Sequence, residues 1–549
     1  MNGKILILIP ALSLWGWLYA QNQTQTQTHT VGGCDYTVVD RDGPGYAESC
    51  TSIMVAKAAS IDGSVITTHS CDGNYRTWVR FEPAKGYTPG DMEPVYWGLL
   101  HTEQPHDMRN VEKKGEIPAP SKTYAYLNVA YPCMNEMQLA IGETTTTGRR
   151  ELVNPQGLFL IEELERIALQ RCTTAREAIQ LMGRLAEQYG YGDSGECLSV
   201  ADPQEVWHFE IYGSGPGKPS ALWVAQRIPD DHVGVSANIP RIGKVDFADS
   251  KNFMYSSDLK ERSLQLALWD GKEPYVFWKV VSSGSKAYAI REFFILSSLA
   301  PSLHLNMDGE ELPFSVKPDQ KVSVRDVMAF YRQTYEGTPY DQMQNLLVTQ
   351  TTRDQAGNET TQTVASPATS NFMSNDVRNL LNTLQPGVVE RQRTIAIVGC
   401  SYSHVTQLRS WLPNEIGGVA YLSFDNPAQS PRIPIYSGTL ALPENFAVCG
   451  QHRYRTDAAI WSFRETNRIA VVNWARSRPV MEPEQMRLEE KHFADAPALE
   501  AKALALINDG KRDEAKQTLT AYTHDFASLS MQKWAEMKAA LWTIFARGF

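Results

Sequence analysis

The stretch "CTSIMVAKAASIDGSVITTHSCDG", residues 50 to 73, constrains the fold more than any other part of the chain. Its first half alternates: Ser52, Met54 and Ala56 lie on one side, Ile53 and Val55 on the other. Asp62-Gly63 supplies a turn and "VITTHS" returns, which predicts a β-hairpin with Cys50 at its first position. The residues before it, 21 to 49, are rich in Thr, Gln, Gly and Asp and are expected to form a dispensable polar leader. A cysteine at the boundary between such a leader and a core strand has three readings: a packed core thiol, half of a disulfide, or a nucleophile.

The N-terminus points to export. Lys4 precedes the apolar run "ILILIPALSLWGWLYA", which ends at Ala20 before "QNQTQTQTHT". This pattern is that of a secretory signal peptide over residues 1–20, and a periplasmic or extracellular protein is expected. The run is short for a membrane span of ~20 apolar residues and contains Pro10 and Ser13, so no membrane attachment is expected after cleavage. Export would permit disulfides among the eight cysteines, Cys34, Cys50, Cys71, Cys133, Cys172, Cys197, Cys400 and Cys449, although their spacing does not reveal a pairing. The net charge is -10 with no basic block, which excludes the cationic footprint of a nucleic-acid binder. HExxH, paired CxxC and clustered histidines are lacking, so no metal site is indicated.

Further along, "NEMQLAIGETTTT" (135–147) predicts a strand. A helix with Ile161, Leu164, Ile167 and Ala168 on one face follows, then a second opening on a Thr174/Glu177 capping box. "CLSVAD", "EVWHFEIYG" and "ALWVAQRIP" predict a strand meander ending at "VGVSANIP". "SVRDVMAFYRQTY" predicts a helix capped by Ser323, and the Thr/Gln/Asn-rich residues 345–375 a surface excursion. "RTIAIVGCSY", "GGVAYLSFD" and "DAAIWSFRET" are expected as strands, and from Pro483 to residue 549 the chain is expected to be helical. Met531, Trp534, Met537, Leu541 and Ile544 form a stripe suited to core packing. The sequence therefore divides into a signal (1–20), a leader (21–49), a catalytic domain (50–482) and a C-terminal helical segment (483–549).

A thiol with a reference pKa of about 8.5 needs a base at neutral pH. Cleavage between Ser49 and Cys50 would create one on the same residue, an α-amino group of reference pKa about 7.7–8.0. That amine can take the thiol proton directly or through water. The leader then has a purpose, since it blocks the amine until it is removed. Asp72, closing the return strand, could hold the new terminus; as Asp72-Gly73 it also suits a plain turn.

These residues resemble the mature N-terminus of the cysteine dipeptidases of the N-terminal nucleophile (Ntn) hydrolase superfamily, related to secernins and to penicillin V acylase and bile salt hydrolase. The shared pattern is a Cys-Thr pair, a short strand, "ASIDGS", a second strand and Asp-Gly. The similarity continues through "NEMQLAIGETT", "YGYGDSGECLSVADPQEVWHFEI" and "FYRQTYEGTPYD", and less firmly through "QLRSWLPNEIGG" and "AAIWSFRETN". It implies an α+β fold, the four-layer αββα sandwich, with a C-terminal helical extension. It implies that Cys50 is nucleophile and, through its amine, base, and that Asp72 holds both groups. Asn238 in "SANIP" would help form the oxyanion hole, and Arg291 in "YAIREFF" would lie near the thiol, where it could meet substrate. Many relatives carry R-x-x-D; here His69 occupies the arginine position, and either Arg76 or Arg291 would have to supply the charge. No cofactor is implied, and the expected substrates are small peptides.

Two other enzyme readings stay open: an Ntn amidase acting on non-peptide amides, and a cysteine peptidase using an internal histidine such as His208. An exported binding protein, using the chain's 13 Trp and 23 Tyr, is the non-enzyme alternative.

Overall fold

The computed structural model describes residues 26–31, 34–39 and 49–548. The expected signal peptide lies outside the described residues, as does most of the leader. Within the expected leader, β1 (Thr26–Val31) and β2 (Cys34–Val39) pair as an antiparallel hairpin. The remainder is a mixed α and β unit built on two antiparallel sheets.

The predicted hairpin is present as β3 (Ser49–Val55) and β4 (Val65–Asp72), with Gly63 at φ 84° in the turn. Asp62 closes the turn by accepting from the Ser64 N–H and hydroxyl. Next come β5 (Ala140–Thr145), helices α1 (Ile161–Arg171) and α2 (Ala175–Tyr189), and the meander β6 (Glu196–Ala201), β7 (Val206–Gly213) and β8 (Ala221–Arg227). The Thr174/Glu177 capping box forms at the start of α2 as the sequence predicts. The strand β9 (Val233–Ser236) leaves the meander: it pairs with β3 in the other sheet, with Val235 opposite Ile53.

After α3 (Ile290–Leu299) and α4 (Val324–Phe330, capped by Ser323), the chain contributes β10 (Cys400–Leu408), β11 (Gly418–Phe424) and β12 (Ile433–Tyr436). One sheet has seven strands in the order Ser315–Val316, β9, β3, β4, β10, β11, β12. The other has eight, running from Phe253–Tyr255 through β8, β7, β6 and β5 to three short strands ending at Arg80–Glu82. The hairpin is therefore central in its sheet. Its alternation is expressed as two cores: Met54 and Ala56 join the cluster that includes Ile167, Ile179 and Met182, while Ile53 and Val55 pack with Phe293, Leu296 and Val327.

Where the two sheets meet, the contact is small and polar. Thr67 and Ser199 share a 2.6 Å hydrogen bond, as do Thr144 and Ser236, and the Ser52 hydroxyl donates to the Glu143 carbonyl at 3.2 Å. Gly142 makes this approach possible: a Cβ there would lie 2.1 Å from the Thr68 carbonyl oxygen.

Three expectations need correction. "RTIAIVGCSY" enters a strand only at Cys400. "DAAIWSFRET" is not a strand but the start of α5 (Ala459–Val472), because its buried residues Ala459, Ile460, Phe463, Asn467 and Ala470 recur with the helical period, which a short Ala-Ala-Ile-Trp run conceals. The C-terminal helices accordingly begin well before Pro483, which lies inside α6 (Trp474–Asn508). The excursion at 345–375 carries an exposed hairpin, Leu347–Arg353 with Glu359–Ala365. In α7 (Arg512–Ile544), Trp534, Met537 and Leu541 are buried against α5 and the adjoining sheet, as core packing requires. No helix among the described residues is long and apolar enough to cross a membrane.

The close approach at Gly142 is directly testable. Gly142→Ala forces either the Thr68 carbonyl or β5 to move and is expected to destabilise the protein by about 1–3 kcal/mol. The check is a lowered midpoint in urea denaturation; an unchanged midpoint would contradict the packing described.

Candidate active site

Cys50 is fully buried between the sheets, opposite Cys71 in the β3–β4 ladder. Cys50 is a free thiol, as are the six other cysteines whose side chains the structure describes, which removes the disulfide reading of Cys50. The backbone at Cys50 is gripped on both sides by side chains. Its N–H donates to Asn238 Oδ1 at 2.8 Å, and its carbonyl accepts from Arg291 Nη1 at 2.5 Å. Asn238 follows directly from β9, beside β3, and adopts a left-handed backbone (φ 66°), a conformation asparagine tolerates better than most residues. Its Nδ2 donates to the Thr145 carbonyl at 2.6 Å, which leaves one amide hydrogen uncommitted by this bond.

Arg291, on α3, is buried and bonds Thr51 Oγ1, the Ala237 carbonyl and Asn238 Oδ1 besides the Cys50 carbonyl. Its Nη donors meet the backbone of Cys50 and Ala237, Thr51 and Asn238 instead of open space for a substrate. Burial lowers its pKa to about 10, which leaves it charged at neutral pH.

Asp72, at the end of β4, is buried and accepts from Ser70 Oγ at 3.1 Å. Its ionic partner is neither Arg76 nor Arg291 but Arg393, whose Nη2 lies 2.6 Å from Asp72 Oδ2. The same guanidinium donates to Ser49 Oγ, so Arg291 and Arg393 bracket the Ser49–Cys50 peptide. Arg76 is occupied elsewhere. It is buried, stacks at 3.4 Å on Trp78, and donates to the carbonyls of Trp78 and Val129 and to Asn128 Oδ1.

His69, three residues before Asp72, is buried in β4 among Tyr131, Tyr402 and His404. Its Nδ1 lies 2.7 Å from the Glu143 carbonyl oxygen, so that nitrogen carries the proton and donates. Burial lowers its pKa to about 4, so it supplies no positive charge at pH 7. His208, the other histidine considered, pairs instead with Glu210 at 2.8 Å near Cys197.

The residue that sequence reasoning passed over is Glu143, in the middle of β5. Its carboxylate, a ring nitrogen of His69 and the Cys50 sulfur lie within 4.8 Å of one another. Burial raises its pKa to about 7. Neighbouring Glu196 is also pushed up, by burial and then by Glu143. Burial, Glu143, Cys71 and Asp72, in that order, hold the Cys50 thiol well above its usual range. The sulfur is therefore a neutral thiol.

Residues 49–486 match Peptidase family C69. The chain belongs to that family and is a hydrolase of the cysteine-peptidase type. It is 24% identical over 420 residues to a protein named probable dipeptidase from Latilactobacillus sakei, covering 72% of this chain and 76% of the relative. Dipeptidase A of Lactobacillus helveticus is 24% identical over 442 residues (77% and 82%), and a probable dipeptidase of Salmonella dublin 25% over 413 residues (72% and 82%).

Two consequences follow for stability. Arg393→Ala leaves the Asp72 carboxylate buried without its cation and is expected to cost about 1–3 kcal/mol, discounted because Arg393 is partly exposed; denaturant midpoints measure it. Glu143 binds a proton in the folded chain that the unfolded chain releases between about pH 4 and pH 7, so this group makes stability fall as pH rises across that window. Glu143→Gln is therefore expected to be more stable relative to wild type at pH 8 than at pH 4. A difference between the two proteins that does not vary with pH would refute this.

Proposed function

We propose that the protein is an exported dipeptidase that matures by cleavage between Ser49 and Cys50, on a four-layer αββα Ntn-hydrolase fold. The observation that carries this reading is the grip on Cys50: Asn238 Oδ1 receives the nitrogen that would become the α-amino group, while Arg291 fixes the adjoining carbonyl. A buried structural thiol has no need of side-chain partners on its own backbone N–H and C=O. The names of the curated relatives favour small peptides as substrates.

On this reading the freed amine takes the Cys50 thiol proton, and the thiolate attacks the peptide carbonyl. The remaining Asn238 amide hydrogen and a backbone N–H hold the oxyanion. The α-ammonium protonates the departing amine, and water activated by the same amine releases the acid from the thioester. Asp72, fixed by Arg393, balances the charge of the ammonium. A Cys–His peptidase has one supporting observation, the closeness of His69 to Cys50, but an imidazole held to a pKa of about 4 is a weak base at pH 7.

N-terminal sequencing of the purified active protein is expected to begin at Cys50, and Cys50→Ala to abolish peptide hydrolysis. Full activity in a chain that retains Ser49 would refute the mechanism. Asn238→Ala is expected to lower kcat by about 10²–10³, the usual loss for an oxyanion donor; steady-state kinetics on a dipeptide would show it.

A further inference from the structure

Glu143 and Glu196 are both fully buried, and one carboxylate oxygen of each, Oε2, has no hydrogen-bond partner. Among the described residues, neither forms an ion pair with a lysine or arginine, and the His69 imidazole 3.8 Å from Glu143 is neutral at pH 7. Two adjacent buried carboxyls without a cation are costly to ionise, and one of them, Glu143, lies beside the Cys50 sulfur with Glu196 behind it.

The geometry of a dipeptide says what belongs there. The α-nitrogen of the first residue is about 2.5 Å from the carbonyl carbon that the thiol attacks. A carboxylate within 4.8 Å of Cys50 Sγ is thus within hydrogen-bonding reach of that nitrogen once the carbonyl meets the sulfur. Resting on the dipeptidase reading above, we propose that Glu143, backed by Glu196, binds the free α-ammonium group of the substrate and so restricts the enzyme to peptides cleaved after an unblocked first residue. An N-acylated substrate would set a neutral amide against the carboxyl pair and leave that pair without a cation. The same pair therefore selects against the acylated amides that an amidase would take.

The test uses the matured full-length enzyme with alanyl-alanine and N-acetyl-alanyl-alanine. Wild type is expected to prefer the free-amine peptide in kcat/KM by about 100-fold or more, the value of a charge-assisted hydrogen bond in a buried site. Glu143→Gln is expected to erode that preference by about 10- to 100-fold, mainly through KM for alanyl-alanine. Glu196→Gln, which leaves the thiol's nearest carboxyl in place, is expected to erode it less and serves if the first variant fails to fold. Wild-type rates for the two peptides within threefold of each other, or an unchanged preference in a folded Glu143→Gln enzyme, would overturn the inference while leaving the dipeptidase reading intact. Hydrolysis of neither peptide, nor of a wider dipeptide panel, by wild type would overturn the dipeptidase reading itself and this inference with it.

Discussion

The site depends on how closely the two sheets approach each other. β4 and β5 cross with only a glycine hydrogen between the Gly142 backbone and the Thr68 carbonyl. Bulky apolar residues would fill such an interface at the usual sheet separation of about 10 Å. Here serine and threonine hydroxyls do so instead, bonding across the gap, and the sheets come nearer. Glu143, the next residue along β5, is thereby delivered to the Cys50 sulfur, and its carbonyl to His69 and Ser52. A wider interface would leave the thiol beside a cavity and without defined neighbours.

Around this point the charges are arranged in two opposed groups. Two guanidiniums, Arg291 and Arg393, lie along the backbone of the Ser49–Cys50 junction, and Asp72 partners the second of them. The Glu143 carboxyl lies beside the Cys50 sulfur, with Glu196 next to Glu143. The first group fixes where the chain runs; the second governs the protonation state of what occupies the space beside the sulfur. A neutral His69 fits this division, since a cation at that position would sit against Glu143 and satisfy it permanently.

Much of the central architecture was legible because it is encoded locally. The period-two pattern of residues 50–56, the Asp62-Gly63 turn and the Thr174/Glu177 cap each specify structure within a few residues, and each is realised. Cys50 stood out by position, at the junction of a polar leader and an alternating strand. Arg393 was not legible: its bond to Asp72 joins residues 321 apart and depends on the pairing of β10 with β4, which shifts register beside Cys400. Glu143 was hidden for another reason. Its strand is buried on both faces, so Gly142, Glu143 and Thr144 show no alternation that would mark which side meets the thiol. The helix at Ala459–Val472 was missed because its first four residues fit a strand as well as a helix.

The complete burial of Cys50 has a bearing on oxidation. Peroxides and thiol-exchange reagents react with exposed thiolates, and the sulfur here is neither exposed nor ionised. A thiol in this state is protected from oxidation. On the proposed maturation, sensitivity to sulfenic-acid formation would arise only together with nucleophilicity, when a base becomes available at the same residue.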